Sequence, residues 1–152
     1  MLLLSFKIGN DNYVIDTKDV VEIIPLVNVK VLPGCEPAVA GLLNYHGKSV
    51  PVIDLNILCG QASSNSTLTT RIILVRYKND ILGMITSDVS ETLRLDEESF
   101  KPTGIKAGTN EFLGDIAEYK NQLVQRIILE QLLTTSVRDA LFSSNETSDE
   151  AK

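Results

Sequence analysis

The sequence predicts a mainly β protein in which two small β-barrels pack together and a short helix closes the C-terminal end. Two observations carry this prediction. Short apolar segments that alternate with polar residues recur along the 152-residue chain, separated by Gly, Asn and Asp turn signals. Residues 3–26 also align without gaps to residues 72–95, which indicates two halves of common architecture.

Each half of the repeat begins with a predicted β-hairpin. The predicted strands are residues 2–8 and 13–16 in the first half, and residues 71–77 and 81–86 in the second. Residues 2, 4, 6 and 8 are apolar and alternate with the others, as expected for a strand. The Asn-Asp pairs at 10–11 and 79–80 suit the tight turns between these strands.

A short Asp-Val-x-Glu element follows each hairpin, with Asp19 and Glu22 in the first half and Asp88 and Glu91 in the second. An acid that caps a helix, with Glu three residues later, is one pattern that begins a helix. The same residues also suit a tight turn that enters a strand. The β-branched residues within 20–24 favour the strand.

The segment 40–58 predicts two strands that meet at a turn formed by residues 45–48. Gly47 suits a position with positive φ, and Lys48 suits an exposed turn. Pro51 has no backbone N–H, so we expect its strand at an edge or with its N–H side facing outward. An apolar strand of this kind is typical of a surface that another protein covers.

These elements give a predicted domain organisation. The first barrel spans about residues 10–62, a polar connector residues 61–70, and the second barrel about residues 71–133. The strand at 2–8 is a candidate to cross over and complete the second barrel, which the sequence leaves open. Residues 130–142 have apolar residues at helical spacing and predict the closing helix. Residues 1–142 then form one domain, and we expect the acidic tail 143–152 to be disordered.

The composition argues against several functions. A formal net charge of -6 disfavours binding to a nucleic-acid backbone, which needs clustered Lys and Arg. No apolar run approaches the ~20 residues of a membrane span, and residues 1–4 lack the basic leader of a signal peptide. We therefore expect a cytoplasmic protein without direct membrane insertion. Cys35 and Cys59 lack metal-ligand spacing and predict two free thiols, so neither metal nor cofactor is expected.

Four stretches of the chain, taken in order, resemble the CheW-like coupling proteins of chemosensory systems. These stretches are FKIGNDNYVIDTKDVVEII, LPGCEPAVAGLLNYHGKSVPVIDL, RIILVRYKNDILGMITSDVSETLRL and LVQRIILEQLL. The resemblance covers about residues 3–133, nearly the whole chain that we expect to be ordered. It implies two five-stranded, SH3-like β-barrels around a joint hydrophobic core, in agreement with the repeat.

The resemblance also implies a function. Members of this family are not enzymes; they link transmembrane chemoreceptors to a CheA-type histidine kinase, through the kinase's own CheW-like regulatory domain. The first barrel is then expected to contact the kinase, and a groove between the barrels to bind the cytoplasmic tip of the receptor in membrane-associated arrays. By position, the kinase face corresponds to Glu22, Gly41, His46 and Gly47, and the receptor contact to Val20, Gly83 and Thr92.

His46 departs from the family pattern, which usually has Arg at this position and pairs it with the acid corresponding to Glu22. His is shorter, and it does not bind a carboxylate in the bidentate manner of Arg. Three interpretations stay open: an exposed turn residue without a role, a Glu22–His46 pair at an interface, or a catalytic base. A base needs a nucleophile or metal companion, and none lies nearby in the sequence. With Arg126, where the family commonly has an apolar residue, His46 indicates a divergent member.

Three functions remain compatible with the sequence. The first is the non-enzymatic adaptor, which the four-stretch resemblance favours. The second is a regulatory module that binds a small molecule between the barrels, for which an apolar pocket would be needed. The third is an enzyme, which requires distant residues to converge because no catalytic cluster is visible in the sequence.

Overall fold

The computed structural model describes residues 1–62, 68–102 and 111–150, with side chains as far as Phe142. The centre of the predicted connector, residues 63–67, lies outside the described residues, as does the 151–152 end of the predicted tail. Within the described residues the chain forms ten strands and two α-helices. These are β1 (Leu2–Ile8), β2 (Asp11–Asp16), β3 (Val20–Pro25), β4 (Val39–Tyr45), β5 (Lys48–Asp54), α1 (Leu55–Leu58), β6 (Arg71–Tyr77), β7 (Asp80–Thr86), β8 (Asp88–Arg94), β9 (Leu113–Tyr119), β10 (Gln122–Ile127) and α2 (Thr135–Glu150).

The strands form two five-stranded sheets with equivalent topology. The first sheet has the order β3-β6-β7-β5-β4, and the second has the order β8-β1-β2-β10-β9. Replacing each strand by its counterpart in the other half converts one order into the other, including the parallel pairs β5–β7 and β2–β10. The predicted mainly β fold with two five-stranded units and a C-terminal helix is therefore confirmed, and the internal repeat extends over all five strands.

Neither sheet closes into a complete barrel. In the first, Lys30 and Leu42 exchange two backbone hydrogen bonds of 2.8 Å, which tie the segment after β3 to the opposite edge strand, β4. In the second, Lys101 and Ile116 form the equivalent bridge between the segment after β8 and β9. Each sheet is thus curled towards closure, and in the described residues one backbone bridge rather than a ladder joins its two edges.

The predicted boundaries of the two barrels are wrong. All strands of the first sheet lie within residues 20–86, so β6 and β7 belong to it rather than to the second barrel. The second sheet combines β1 and β2 with β8, β9 and β10, so the crossover considered for residues 2–8 includes β2 as well. The reason is long-range pairing: β6 pairs with β3, and β7 pairs with β5, contacts that no local sequence pattern encodes.

A shared core lies between the sheets. Along β6, Ile73, Val75 and Tyr77 face this core, while Ile72 and Leu74 face the interior of the first sheet. The second sheet contributes residues of β1 and β2, and the segment leading into α2 contributes apolar residues from 129 onward. The shared core consists of Leu4, Phe6, Ile8, Ile15, Ile53, Leu55, Ile73, Val75, Tyr77, Leu82, Met84, Phe112, Ile127, Leu129, Leu132, Leu133 and Leu141.

The structure decides between the two interpretations of Asp-Val-x-Glu. A single 3₁₀ turn, Thr17–Asp19, leads directly into β3, and β8 begins at Asp88 itself. The strand interpretation is therefore confirmed in both halves. The side chain of Asp16 accepts a hydrogen bond of 2.9 Å from the backbone N of Lys18, which stabilises the turn before β3.

The C-terminal helix differs from its predicted bounds. It begins at Thr135, where the hydroxyl of Thr134 accepts a hydrogen bond of 3.3 Å from the backbone N of Val137. It continues to Glu150, although disorder was expected from residue 143. No Gly or Pro follows Phe142 within the helix, so the sequence contains no residue that ends it there.

Pro51 lies in an interior strand, although an edge strand was one of its two expected locations. β5 pairs with β4 along residues 48–53, and with β7 only from Val52 to Asp54. Pro51 therefore precedes the parallel ladder, so its missing N–H removes no hydrogen bond from that side.

Candidate functional site

The turn between β4 and β5 projects from the first sheet. His46 and Gly47 form a two-residue loop with φ of 50° and 83°, and both residues are exposed. Positive φ at both central positions is the geometry that matches the twist of the flanking strands. The backbone N of Gly47 donates to the side chain of Asn44 at 3.0 Å, which fixes the turn. The loop therefore presents His46 and Gly47 at a defined place on the surface.

Tyr45 connects the two edge strands of the first sheet. Its hydroxyl donates a hydrogen bond of 2.6 Å to Oε1 of Glu22, which lies on β3. This bond raises the pKa of Tyr45 above its ordinary value of 10.0, because the phenol loses its carboxylate partner interaction when it ionises. The bond thus links the same two edge regions as the Lys30–Leu42 bridge.

The Glu22–His46 pair, one of the three interpretations left open for His46, is not formed within the described part of the chain. Glu22 accepts from Tyr45 instead, and the ring of His46 packs edge-on against that of Tyr45 with centroids 4.4 Å apart. The physical reason is the reach of the side chains: the Tyr45 hydroxyl extends to β3, whereas His46 lies in the left-handed turn. Tyr45 was not among the residues selected from the sequence, although it immediately precedes His46 and Gly47, which were selected.

Gly41 is buried rather than presented to a partner. It lies at a bulge in β4, beside the Lys30–Leu42 bridge, with φ of 146°. A Cβ placed on it would lie 2.0 Å from the carbonyl oxygen of Lys30. Gly41 therefore maintains the close approach of two backbone segments, and it can influence a partner only through the shape of this edge.

Three exposed apolar side chains lie on β3 and in the loop after it. Ile23 on β3 is 40% exposed, Val27 is 43% exposed, and Val31 is 72% exposed. Lone exposed apolar residues need no explanation, but three on one edge strand and the loop after it give the first sheet an apolar border. Together with Glu22, Tyr45, His46 and Gly47 these residues form what we term the first-sheet surface.

The three residues predicted to contact a receptor are divided between the sheets. Val20 begins β3 and packs against the shared core, and Gly83 is buried in β7 of the same sheet. Thr92 lies on β8 of the second sheet and is exposed. A Cβ on Gly83 would lie 3.0 Å from Cγ2 of Val52, so Gly83 is a packing position. Of the three, Thr92 alone presents an exposed side chain.

Arg126 joins the second sheet to the loop after β8. Its guanidinium forms two hydrogen bonds with Glu97, of 2.9 and 3.0 Å, and lies 4.2 Å from the ring centroid of Phe100. The bidentate hydrogen bond lowers the pKa of Glu97 and raises that of Arg126. The sequence signal was an Arg at a strand position where the family commonly has an apolar residue. In the structure this Arg holds the loop after β8 against the second sheet.

Two clefts flank the segment that leads into α2. The more apolar one has a volume of about 530 Å³ and lies between residues 36–39, α1 and the start of α2, with Ile57, Leu58 and Val137 in its wall. The other, of about 630 Å³, is more polar and includes Lys78 and Arg138. None of the residues predicted to contact a partner lines either cleft.

The described residues contain no group of three or more His, Cys, Asp or Glu side chains placed to hold a metal ion. Burial raises the pKa of the Cys59 thiol to about 11, which keeps it protonated near neutral pH. In the described part of the chain no helix is both long and apolar enough to cross a bilayer.

Comparisons with known proteins agree with this geometry. The family model for the CheW-like domain matches residues 2–137. The chemotaxis protein CheW of Bacillus subtilis is 26% identical over 127 residues, covering 82% of this chain and 81% of that protein. The CheW of Klebsiella aerogenes is 27% identical over 134 residues, covering 87% of this chain and 81% of that protein.

A solved structure has a similar overall fold. The scaffolding protein TtCheW from Thermoanaerobacter tengcongensis superposes with a TM-score of 0.82 at 26% sequence identity. The match covers 90% of this chain and 94% of that one, so both sheets are included. The chain therefore belongs to the CheW-like family of chemotaxis adaptor proteins.

Proposed function

We propose that this protein couples chemoreceptors to a CheA-type histidine kinase without catalysing a reaction itself. The observation that carries the proposal is the first-sheet surface, which combines the exposed apolar residues Ile23, Val27 and Val31 with the exposed turn of His46 and Gly47. Exposed apolar residues accompanied by polar ones are the usual composition of a modest protein–protein interface. Its partner is the regulatory domain of the kinase.

Three of the four predicted kinase residues support this assignment by their exposure. Glu22, His46 and Gly47 are exposed on the first-sheet surface, whereas Gly41 is buried behind it. Because the surface belongs to a curled sheet held by the Lys30–Leu42 bridge and the Tyr45–Glu22 bond, it is preorganised before a partner arrives. Preorganisation reduces the entropic cost of association.

The proposed receptor contact involves residues of both sheets. Thr92 is exposed on β8, and Val20 is half-buried at the start of β3. We propose that the cytoplasmic tip of a chemoreceptor contacts Thr92 and Val20, with Gly83 acting through the packing of β7. The protein would then act in the cytoplasm, recruited to receptor arrays at the membrane by its partners.

Titration calorimetry with the isolated regulatory domain of a CheA-type kinase from the same source tests the kinase contact. Gly47→Arg places a long side chain on the first-sheet surface, where nothing lies within 4 Å of a Cβ. Gly60→Arg is a matched control, because Gly60 has φ of 81° against 83° for Gly47 and is equally open. Both variants carry the same backbone strain and added charge.

The proposal expects Gly47→Arg to weaken kinase binding at least tenfold, equivalent to about 1.4 kcal/mol. Gly60→Arg should bind as the unmodified protein does. Equal binding by both folded variants and the unmodified protein would show that the kinase contacts another face. Equal weakening by both variants would assign the effect to strain or charge rather than to the surface.

A further inference from the structure

Two very short crossovers join the two sheets. Among the described strands, the chain passes from β2 to β3 through Thr17–Asp19, and it returns from β7 to β8 through Ser87. The register of β1 places Asp16 opposite Leu3, near one end of β1, and Asp88 opposite Lys7, near the other. The crossovers therefore lie at opposite ends of β1. The covalent chain restricts the sheets mainly to rotation about the line through these two points.

Side chains from residues 20–86, the part of the chain that contains the first sheet, form hydrogen bonds with both crossovers. At the first, Nη1 of Arg76 donates to the carbonyl oxygen of Lys18 at 3.0 Å. At the second, Oγ1 of Thr69 donates to the carbonyl oxygen of Ser87 at 2.9 Å, and Nδ2 of Asn56 donates to Oγ of Ser87 at 3.0 Å. Asn56 is buried, so its hydrogen bond is shielded from competition by water.

The shared core and these hydrogen bonds restrain different motions. Apolar packing is non-directional, and packed layers can move against each other by small shear displacements without losing their contacts. Hydrogen bonds weaken steeply when their angle changes. We propose that Arg76 and Asn56 are positioning residues that fix the angle between the two sheets by holding the crossovers.

This angle has a consequence for an adaptor. The first-sheet surface carries Glu22 and His46, whereas the exposed Thr92 lies on the second sheet. A change in the angle between the sheets would alter the relative orientation of two partners bound to these surfaces. The contacts with each partner would stay the same. The inference concerns the protein alone, so it does not depend on the identity of the partners.

Residual dipolar couplings of the backbone amides test the proposal directly. In the unmodified protein, couplings from the first and second sheets should fit one common alignment tensor. In a double variant, Arg76→Ala with Asn56→Ala, the couplings of each sheet should still fit the structure of that sheet. The alignment tensors obtained from the two sheets should then differ in orientation. The separate fits also show that both sheets remain folded.

If the double variant does not fold, single variants test the same proposal. Arg76 is exposed, so Arg76→Ala leaves the core intact and should produce part of the rotation, and Arg76→Lys should reverse part of it by retaining a donor. Gln125→Ala is the control, because it removes a side-chain hydrogen bond of 3.0 Å to Gly114 within the second sheet. The proposal is overturned if folded Arg76→Ala keeps the common tensor, or if Gln125→Ala rotates the sheets equally.

Discussion

The backbones of Gly41 and Lys30 approach so closely that a single added carbon would not fit between them. A Cβ on Gly41 would lie 2.0 Å from the carbonyl oxygen of Lys30 and 2.7 Å from its carbonyl carbon. The adjacent residue, Leu42, forms the bridge with Lys30 that draws the edges of the first sheet together. The curvature of this sheet therefore depends on the absence of a side chain at one position.

We predict that Gly41→Ala destabilises the protein by about 2–4 kcal/mol, because the backbone bridge must shift and φ of 146° is strained for Ala. Gly83→Ala is the matched control: Gly83 is also buried, but its Cβ would meet side-chain methyl groups at 3.0 and 3.2 Å, which can move slightly. Urea unfolding measures both changes. Equal losses in the two variants would show that the bridge does not limit this position.

Tyr77 gives a prediction in the opposite direction. Its side chain is 1% exposed in the shared core and stacks on Phe142 of α2, with ring centroids 5.7 Å apart. Its hydroxyl has no hydrogen-bond partner among the described residues. Removing an unpartnered buried polar group is neutral or stabilising, so Tyr77→Phe should change the free energy of unfolding by about 0 to +1 kcal/mol. Thermal unfolding of this variant measures the change. A decrease in the free energy of unfolding of more than about 1 kcal/mol would show that the hydroxyl has a hydrogen-bond partner.

The Tyr45–Glu22 bond should be visible in an alkaline titration. The pKa of Tyr45 is raised in the folded state by its bond to the Glu22 carboxylate. The contribution of the Tyr45–Glu22 bond to stability is therefore fully present below 10.0, the ordinary pKa of tyrosine. It is lost as the pH rises through the higher pKa of Tyr45 in the folded protein. NMR of the tyrosine rings would measure the titration, and Glu22→Gln, which removes the charge but keeps an acceptor, should shift the midpoint downward. An unchanged midpoint in Glu22→Gln would contradict the bond.

The two cysteines should differ in reactivity. Cys35 is exposed, whereas Cys59 is half-buried and its pKa is raised to about 11 by burial. Because the thiolate is the reactive form, Cys59 should be alkylated far more slowly than Cys35 at pH 8, and denaturant should remove the difference. Mass spectrometry after timed alkylation measures both rates, with Cys35→Ser as the control that isolates Cys59. Comparable rates in the folded protein would contradict the burial of Cys59.

Local sequence patterns predicted the strands well but not their partners. The bounds of β1 and β6 match the prediction, because apolar segments followed by Asn-Asp turns are local signals. The assignment of β6 and β7 to the first sheet depends on long-range pairing with β3 and β5, which no local pattern encodes. The repeat indicated two equivalent halves, but equivalence alone does not say which hairpin completes which sheet.

The site shows the same division between local and long-range information. Gly47 was expected in a left-handed turn, and the structure places it there. The Glu22–His46 pair, one of the interpretations left open for His46, is not formed, because residues 23 or more positions apart meet through sheet curvature and this curvature brings Tyr45 rather than His46 to Glu22. Gly41 was selected by resemblance to the family, whereas its physical role became visible only with the Lys30 backbone beside it.

The central claim is that the protein links a receptor to a kinase, and co-sedimentation tests it most directly. Membranes that contain a chemoreceptor from the same source would be mixed with a CheA-type kinase, with and without the protein, and centrifuged. The account predicts that the kinase sediments with the membranes in a manner that depends on the protein, and that Gly47→Arg reduces this fraction while Gly60→Arg does not. Sedimentation of the kinase that is unaffected by the folded protein would contradict the coupling function.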